Sequence, residues 1–193
     1  MRVIAGKFRS RPLRSLRGLD IRPTSDRLRE ALFNILTAGN PKALEGSVWL
    51  DLFAGTGAVG IEALSRGAAM VYFVERSGQA VGLIKSNLAS LGIKQGFRII
   101  QQESSLAIAE LDRQGVRPNI VFLDPPYRLE DSYRTTFEAL AKSKLAAPAQ
   151  VIAEHEERFD PGGKFGVLER TRKLEQGDAA LSFYRALTPD PPS

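Results

Sequence analysis

Two short segments carry most of the chemistry available to this sequence. The first is Asp51-Leu52-Phe53-Ala54-Gly55-Thr56-Gly57-Ala58-Val59-Gly60. Gly55, Gly57 and Gly60 form a G-x-G-x-x-G turn after an apolar run, and Glu75 closes the next apolar run 20 residues beyond Gly55. That order suits a ribosylated ligand whose hydroxyls are held by Glu75. An NAD-dependent oxidoreductase fits the same pattern, so Asp51 is the discriminating residue. A carboxylate directly ahead of the turn would repel a pyrophosphate at the helix N-terminus and welcome a cation. S-adenosylmethionine (AdoMet) has no phosphate and carries an ammonium and a sulfonium. The competing assignments are a helix cap for Asp51 and a strand-end surface charge for Glu75.

The second segment is Asp124-Pro125-Pro126-Tyr127, after the apolar run Ile120–Leu123. Its prolines stiffen the turn and remove two N–H donors, so the Asp124 carboxylate and peptide carbonyls face the site. Such acceptors can hold both protons of an exocyclic amine. They would turn its nitrogen lone pair out of ring conjugation and toward a sulfonium methyl. Tyr127 offers a face on which a base could stack. The competing assignment is a proline turn that merely ends a strand. AdoMet brings its own leaving group, so the chemistry calls for no metal. The single histidine, His155 in Glu154-His155-Glu156-Glu157, cannot build a His-rich metal site. It is expected to be structural or on the surface.

The elements around these segments alternate. Strand-like runs at Val48–Phe53, Met70–Val74, Phe97–Ile100, Ile120–Leu123 and Gln150–Ala153 are separated by helical patterns. Those helices run through about Arg66, after Ser77 (with Val81, Ile84, Leu88 and Leu91 on one face), over about Ser105–Leu111 and over about Asp131–Lys144. Alternation of this kind predicts a parallel sheet with helices on both faces and a ligand at the strands' carboxyl ends. Val167–Leu174 and Ala179–Leu187, joined by Glu175-Gln176-Gly177-Asp178, read as a terminal hairpin. Thr188–Ser193 reads as a frayed tail.

Ahead of the alternating core lies a basic arm. Met1 to Arg29 holds nine basic residues and two acids, a net +7, whereas the whole chain is +5. Eight of the nine are Arg, which favours bidentate contact with phosphate, so the arm points to nucleic acid over a merely solvated or lipid-facing tail. Short apolar residues among the cations predict a small β-hairpin. Pro23-Thr24-Ser25 starts a helix with Leu28, Ala31, Leu32, Ile35 and Leu36 on one face, which Gly39-Asn40-Pro41 stops. The 193 residues predict a single domain: an extension over 1–40, a core over 41–187 and a tail over 188–193. The chain has no cysteine, which excludes disulfides and Cys-based zinc sites. No apolar run reaches the ~20 residues of a membrane span. Without a secretory signal at Met1–Lys7, the expected location is the cytoplasm.

Asp51–Gly57 and Asp124–Tyr127 together resemble class I amino-methyltransferases. Arg2-Val3-Ile4-Ala5-Gly6-Lys7 and the run Arg22-Pro23-Thr24-Ser25-Asp26-Arg27-Leu28-Arg29-Glu30-Ala31-Leu32-Phe33-Asn34-Ile35-Leu36 narrow this further. Nearly the whole chain resembles the RsmD-type 16S ribosomal RNA (guanine-N2)-methyltransferases. The resemblance implies a Rossmann-like α/β three-layer sandwich whose seven-stranded, mostly parallel sheet ends in an antiparallel hairpin. It implies methyl transfer from AdoMet to the N2 amine of one guanine of 16S rRNA, in an assembled or assembling small subunit; the chain itself is expected to be a monomer. The catalytic loop would be Asp124, Pro125, Pro126 and Tyr127. The cofactor would lie along Asp51, Phe53, Ala54, Gly55, Thr56 and Gly57, with Glu75 and Arg76 at the ribose and Glu103 and Ser104 flanking the adenine. Glu103-Ser104 departs from the acid-Ala pair commoner in the family. Arg2, Lys7, Arg9, Arg11, Arg14 and Arg22 would face RNA. Arg22 to Glu30 either packs over the cofactor or faces RNA. The rival readings are an adenine-N6 or cytosine-N4 methyltransferase and a non-catalytic rRNA-binding assembly factor. A DNA enzyme would need a recognition domain for which the chain has no room. A pure binding module would not need Asp51, Glu75 and Asp124–Tyr127 together.

Overall fold

The computed structural model describes residues 1–15, 26–126 and 130–187. Helix α1 (Asp26–Leu36) precedes an alternating series: β1 (Val48–Leu52), α2 (Ala58–Ser65), β2 (Met70–Val74), α3 (Gly78–Ser90), β3 (Phe97–Ile100), α4 (Ser104–Arg113), β4 (Ile120–Leu123), α5 (Glu130–Lys142) and β5 (Gln150–Glu156). Three further strands follow, β6 (Lys164–Phe165), β7 (Leu168–Gln176) and β8 (Ala179–Ala186). They form one sheet in the order β3-β2-β1-β4-β5-β8-β7-β6. The first five strands in that order are parallel, and β8 enters antiparallel to β5.

Side chains alternate across a strand, so each inner strand feeds two cores. Trp49, Phe73, Phe122, Ile152 and Phe183 pack on one face with Leu32 and Phe33 of α1, Ile61 of α2 and Ile84 and Leu88 of α3. Leu50, Leu52, Val121, Leu123 and Val151 pack on the other with Ile108 and Leu111 of α4 and Phe137 and Leu140 of α5. The same alternation puts Asp51 on the face of Trp49 and Glu154 on that of Ile152, the side covered by α1 and α2. Gly60 shows how tightly α2 lies on the sheet. A Cβ there would collide with Phe73 and come within 2.7 Å of Val71 Cγ1.

Several sequence expectations are corrected. The sheet has eight strands rather than seven, because two-residue β6 pairs with the outer edge of β7. β1 stops at Leu52, since Phe53 turns to a positive φ of 60°. β5 runs on to Glu156, paired with Ala179 of β8, a partner invisible from local sequence. The N-terminal hairpin is reduced to a single antiparallel bridge between Arg2 and Pro12. The reason is competition for backbone donors. The N–H groups of Ile4 and Ala5 go to the Glu62 carboxylate at 2.7 and 3.0 Å, and that of Phe8 goes to Ser65 Oγ at 3.0 Å. The arm is thus clipped to α2, with Val3 and Leu13 buried beneath it. The expected helix start at Pro23-Thr24-Ser25 and the tail at 188–193 lie outside the described residues.

Because the Gly60 contact is with buried side chains, Gly60→Ala should cost about 1–3 kcal/mol by overpacking. A urea midpoint equal to that of the unmodified protein would show that α2 can lift off the sheet freely.

Candidate functional site

β1 has β2 on one side and β4 on the other, so the chain changes direction across the sheet between them. This is the crevice where open parallel sheets bind ligands. Leu52 of β1 is in register with Leu123 of β4. The turns beginning at Phe53 and Asp124 therefore leave the sheet side by side. The Asp124 N–H even reaches the Leu52 carbonyl, at 3.4 Å.

The first turn is held peptide by peptide. The Ala54 N–H donates to the Val74 carbonyl at 3.0 Å, and the Gly57 N–H to the Ala54 carbonyl at 2.7 Å. Glu75 Oε2 accepts from the Gly55 N–H at 2.9 Å, and its Oε1 from the Ser77 N–H at 2.8 Å. Each oxygen of a carboxylate can accept twice, so Glu75 retains capacity for two hydroxyls. Gly55 sits at φ 53°, and a Cβ there would meet nothing nearer than the Phe53 carbonyl oxygen at 3.8 Å. The outer side of the turn is therefore open. Phe53, a non-glycine residue in the left-handed region, is the kind of local strain that collects at ligand turns.

Asp51 does what the competing reading allowed. It is buried, and its Oδ2 accepts from the Gly60 N–H at 3.0 Å, capping α2 from below. No side chain caps that helix at Gly57 itself. Burial, opposed by the Gly60 hydrogen bond and reinforced by the nearby Glu75 charge, pushes the Asp51 carboxyl up to about 7. Asp124 is only partly exposed. Burial, followed by the charges of Glu154 and Asp51, raises it well above the usual carboxylate range. Pro125 is buried and Pro126 exposed. The Tyr133 hydroxyl of α5 donates to the Glu154 carbonyl at 2.7 Å, which ties the end of β5 to the proline turn's neighbour.

Arg76 and Glu103, both expected along the cofactor, meet at the rim, Arg76 Nη1 donating to Glu103 Oε1 at 3.2 Å. Ser104 is buried at the first turn of α4. Arg2, Lys7, Arg9, Arg11 and Arg14 are all exposed on the clipped arm. Tyr127 and Arg22 lie outside the described residues. The described part of Arg22–Glu30 turns Leu28 and Arg29 inward, so it packs on the core. His155 is buried, its Nε2 2.9 Å from Ser182 Oγ, a structural role.

Glu154 and Arg29 are among the buried polar groups that the sequence does not single out. Glu154 is buried beside Asp124. Arg29 is fully buried, donating to Asp26 Oδ1 at 2.9 Å and the Arg2 carbonyl at 2.5 Å, with its Nε 4.0 Å from Glu62. A helical pattern with an Arg between core-facing Leu28 and Leu32 was the available signal for Arg29. For Glu154 there was none, because β5 appeared to end one residue before it.

The Asp51 shift has a definite sign for stability. Its folded pKa, about 7, exceeds the ordinary 3.8, so the folded state binds more protons between those values. Its contribution is full below pH 3.8 and lost as pH rises through about 7. Relative to Asp51→Asn, the unmodified protein should therefore lose stability from pH 4 to 7 in urea titrations. Parallel pH profiles for the two proteins would remove the buried acid from this account.

A family model described as conserved hypothetical protein 95 matches residues 1–185. A putative rRNA methyltransferase of Bacillus subtilis, YlbH, is 32% identical over 186 residues, covering 96% of this chain and 98% of that protein. The ribosomal RNA small subunit methyltransferase D of Escherichia coli K12 is 41% identical over 129 residues, covering 66% of this chain and 61% of its own. Among solved structures, the putative methyltransferase YhhF of Escherichia coli superposes with a TM-score of 0.78 at 33% identity, covering 96% of this chain and 97% of that one. Matched by the family model over residues 1–185 and by a relative covered almost end to end, the chain belongs to this family, that of the RsmD-type methyltransferases.

Proposed function

We propose that this protein transfers a methyl group from AdoMet to the exocyclic N2 amine of one guanine in 16S rRNA of the small ribosomal subunit. The observation that carries the reading is the pairing of Leu52 with Leu123, which sets the glycine turn and the Asp124 turn one strand apart. Parallel neighbours are spaced about 4.8 Å, so a ligand on the first turn lies within reach of a group held by the second. The names of the relatives, both of the small-subunit kind and of the broader rRNA kind, support the nucleic-acid class.

The residues present fit AdoMet. Glu75 has acceptor capacity left for ribose hydroxyls, the Gly55 side of the turn is open, and a buried acid lies beneath it. When bound there, AdoMet supplies a methyl carbon on a positively charged sulfur. Asp124 and the carbonyls of its proline turn would orient the amine, and with its pKa raised the Asp124 carboxylate is suited to take the proton the nitrogen releases. Asp51 would act on the cofactor through its field rather than by direct contact, since its side chain is buried beneath the turn against the Gly60 N–H. Among the described residues no group of three or more acids or histidines could hold a metal ion. Also among them, no helix is long and apolar enough to cross a membrane.

A tritiated-methyl assay on small subunits, naked rRNA and duplex DNA tests the reading. Label should appear in rRNA and digest to N2-methylguanine; label in adenine or cytosine of DNA would replace it with the amino-DNA alternative. Asp124→Ala should cut turnover by about 10²-fold or more while S-adenosylhomocysteine still binds, because the acid serves the acceptor side. Turnover within a factor of two would take Asp124 out of the mechanism.

The exposed cations of the clipped arm make the RNA-facing surface in this reading. Reversing Arg9 and Arg11 to Glu should weaken rRNA binding and flatten its dependence on salt by about one unit of slope per lost phosphate contact. An unaltered slope would mean the arm does not touch phosphate.

A further inference from the structure

Asn87, on the face of α3, is fully buried, and its amide engages both Nδ2 protons and its Oδ1 across two separate parts of the chain. Its Oδ1 accepts from the Arg14 N–H at 2.8 Å, and its Nδ2 donates to the Arg14 carbonyl at 3.1 Å. That exchange imitates a strand pair and fastens the end of the basic arm. The second Nδ2 proton goes to the Thr56 carbonyl, at 2.9 Å. Thr56 stands in the middle of the glycine turn. Its peptide to Gly57 is therefore gripped from both sides, the carbonyl by Asn87 and the N–H by Ala54. Two further contacts fasten the arm along the same helix: Arg14 Nη1 donates to Ser86 Oγ at 2.9 Å and Arg11 Nη2 to the Ser90 carbonyl at 3.2 Å.

We propose that Asn87 is a positioning residue that links RNA binding on the arm to cofactor binding on the glycine turn, so that each ligand tightens the other. The inference rests on the function proposed above. Asn87 itself touches neither ligand. If the arm lifts from α3, the amide loses its two bonds to Arg14 and keeps only the one to the Thr56 carbonyl. A buried amide left half-satisfied is costly, and it is then free to rotate away from the Thr56 carbonyl. The sign of the linkage follows from charge. Arg2, Lys7, Arg9, Arg11 and Arg14 lie within 13 residues and repel one another, which loosens the docked arm. Phosphates bound across them remove that repulsion and favour the docked state. What favours the docked arm favours the held turn, and the effect must be reciprocal.

The test uses S-adenosylhomocysteine, which cannot turn over, and a small-subunit rRNA fragment, with each affinity measured in the absence and presence of the other. In the unmodified protein, saturating S-adenosylhomocysteine should tighten RNA binding about fivefold or more, and RNA should tighten S-adenosylhomocysteine binding by the same factor. Asn87→Asp keeps the acceptor for the Arg14 N–H but removes both donors. It should weaken S-adenosylhomocysteine binding about tenfold and bring the linkage factor to about one. Arg14→Ala/Ser86→Ala acts only on the surface, so it guards against a misfolded Asn87 variant. It should weaken S-adenosylhomocysteine binding severalfold although neither side chain reaches the turn. Phe137→Leu, in the opposite core, serves as a stability control that should leave the linkage intact. A linkage factor of one in the unmodified protein, or an unchanged factor in both Asn87→Asp and the surface double variant, overturns the inference. Failure of the unmodified protein to bind S-adenosylhomocysteine at all would instead overturn the proposed function.

Discussion

The parallel pairing of β1 with β4 is the constraint on which the rest of this molecule depends. The two strands are separated by two complete strand–helix units in sequence, yet they are adjacent in the sheet. That adjacency exists because the first crossovers carry the chain outward to β2 and β3, and the later one brings it back to the other side of β1. The right-handedness of parallel crossovers then places α2 and α3 on one face of the sheet and, once the direction reverses, α4 and α5 on the other. Once β1 and β4 pair with Leu52 opposite Leu123, the glycine turn and the proline turn have no freedom to separate. Glu75 follows from the pairing of β1 with β2, where Leu52 meets Val74. The glycine turn, Glu75 and the proline turn are thus brought together by the backbone pairing of β1 with its two neighbours.

Around those turns the interior carries charge that a purely stable protein would avoid. Asp51 and Glu154 are buried and Asp124 nearly so, and their mutual repulsion adds to the desolvation of each. The compensation is partial. Asp51 is offset by the N-terminal turn of α2, whose Gly60 N–H it accepts. Arg29 lies among Asp26, Glu62 and Glu154, yet its Nε and Nη1 have no hydrogen-bond partner among the described residues. Breaking a buried ion group of this kind costs far more than forming it returns. Specific placement of charge at the strand tips, not net stability, is what this arrangement achieves.

The basic arm combines two properties that composition alone would separate. Its apolar residues Val3 and Leu13 join the core, and the N–H groups of Ile4, Ala5 and Phe8 are taken by Glu62 and Ser65 of α2. Its cations meanwhile remain exposed. The arm is therefore already docked on the body of the protein, not a tail that folds on contact, and a nucleic-acid partner can tighten that docking without having to create it. The buried amide of Asn87 also joins the end of the arm to the glycine turn, bonding Arg14 on one side and the Thr56 carbonyl on the other.

Sequence alone determined what depends on local periodicity and on residue type. The alternation of elements, the two turns, the basic arm and the terminal hairpin were all legible. Each is encoded within a few residues: apolar runs of strand length, glycines where φ must be positive, and prolines that stop a strand. Tertiary structure alone decided which partner a given polar group takes. Asp51 read as an open strand-tip acid, but the packing of α2 made it a buried helix cap. The arm read as a hairpin, but Glu62, more than fifty residues away, captured its N–H groups. β5 read as ending at Ala153, but β8 extended it and carried Glu154 into the site. Hydrogen bonds and burial in these cases are contests between groups distant in sequence. The winner is set by which elements pack together, and a local pattern holds no record of that.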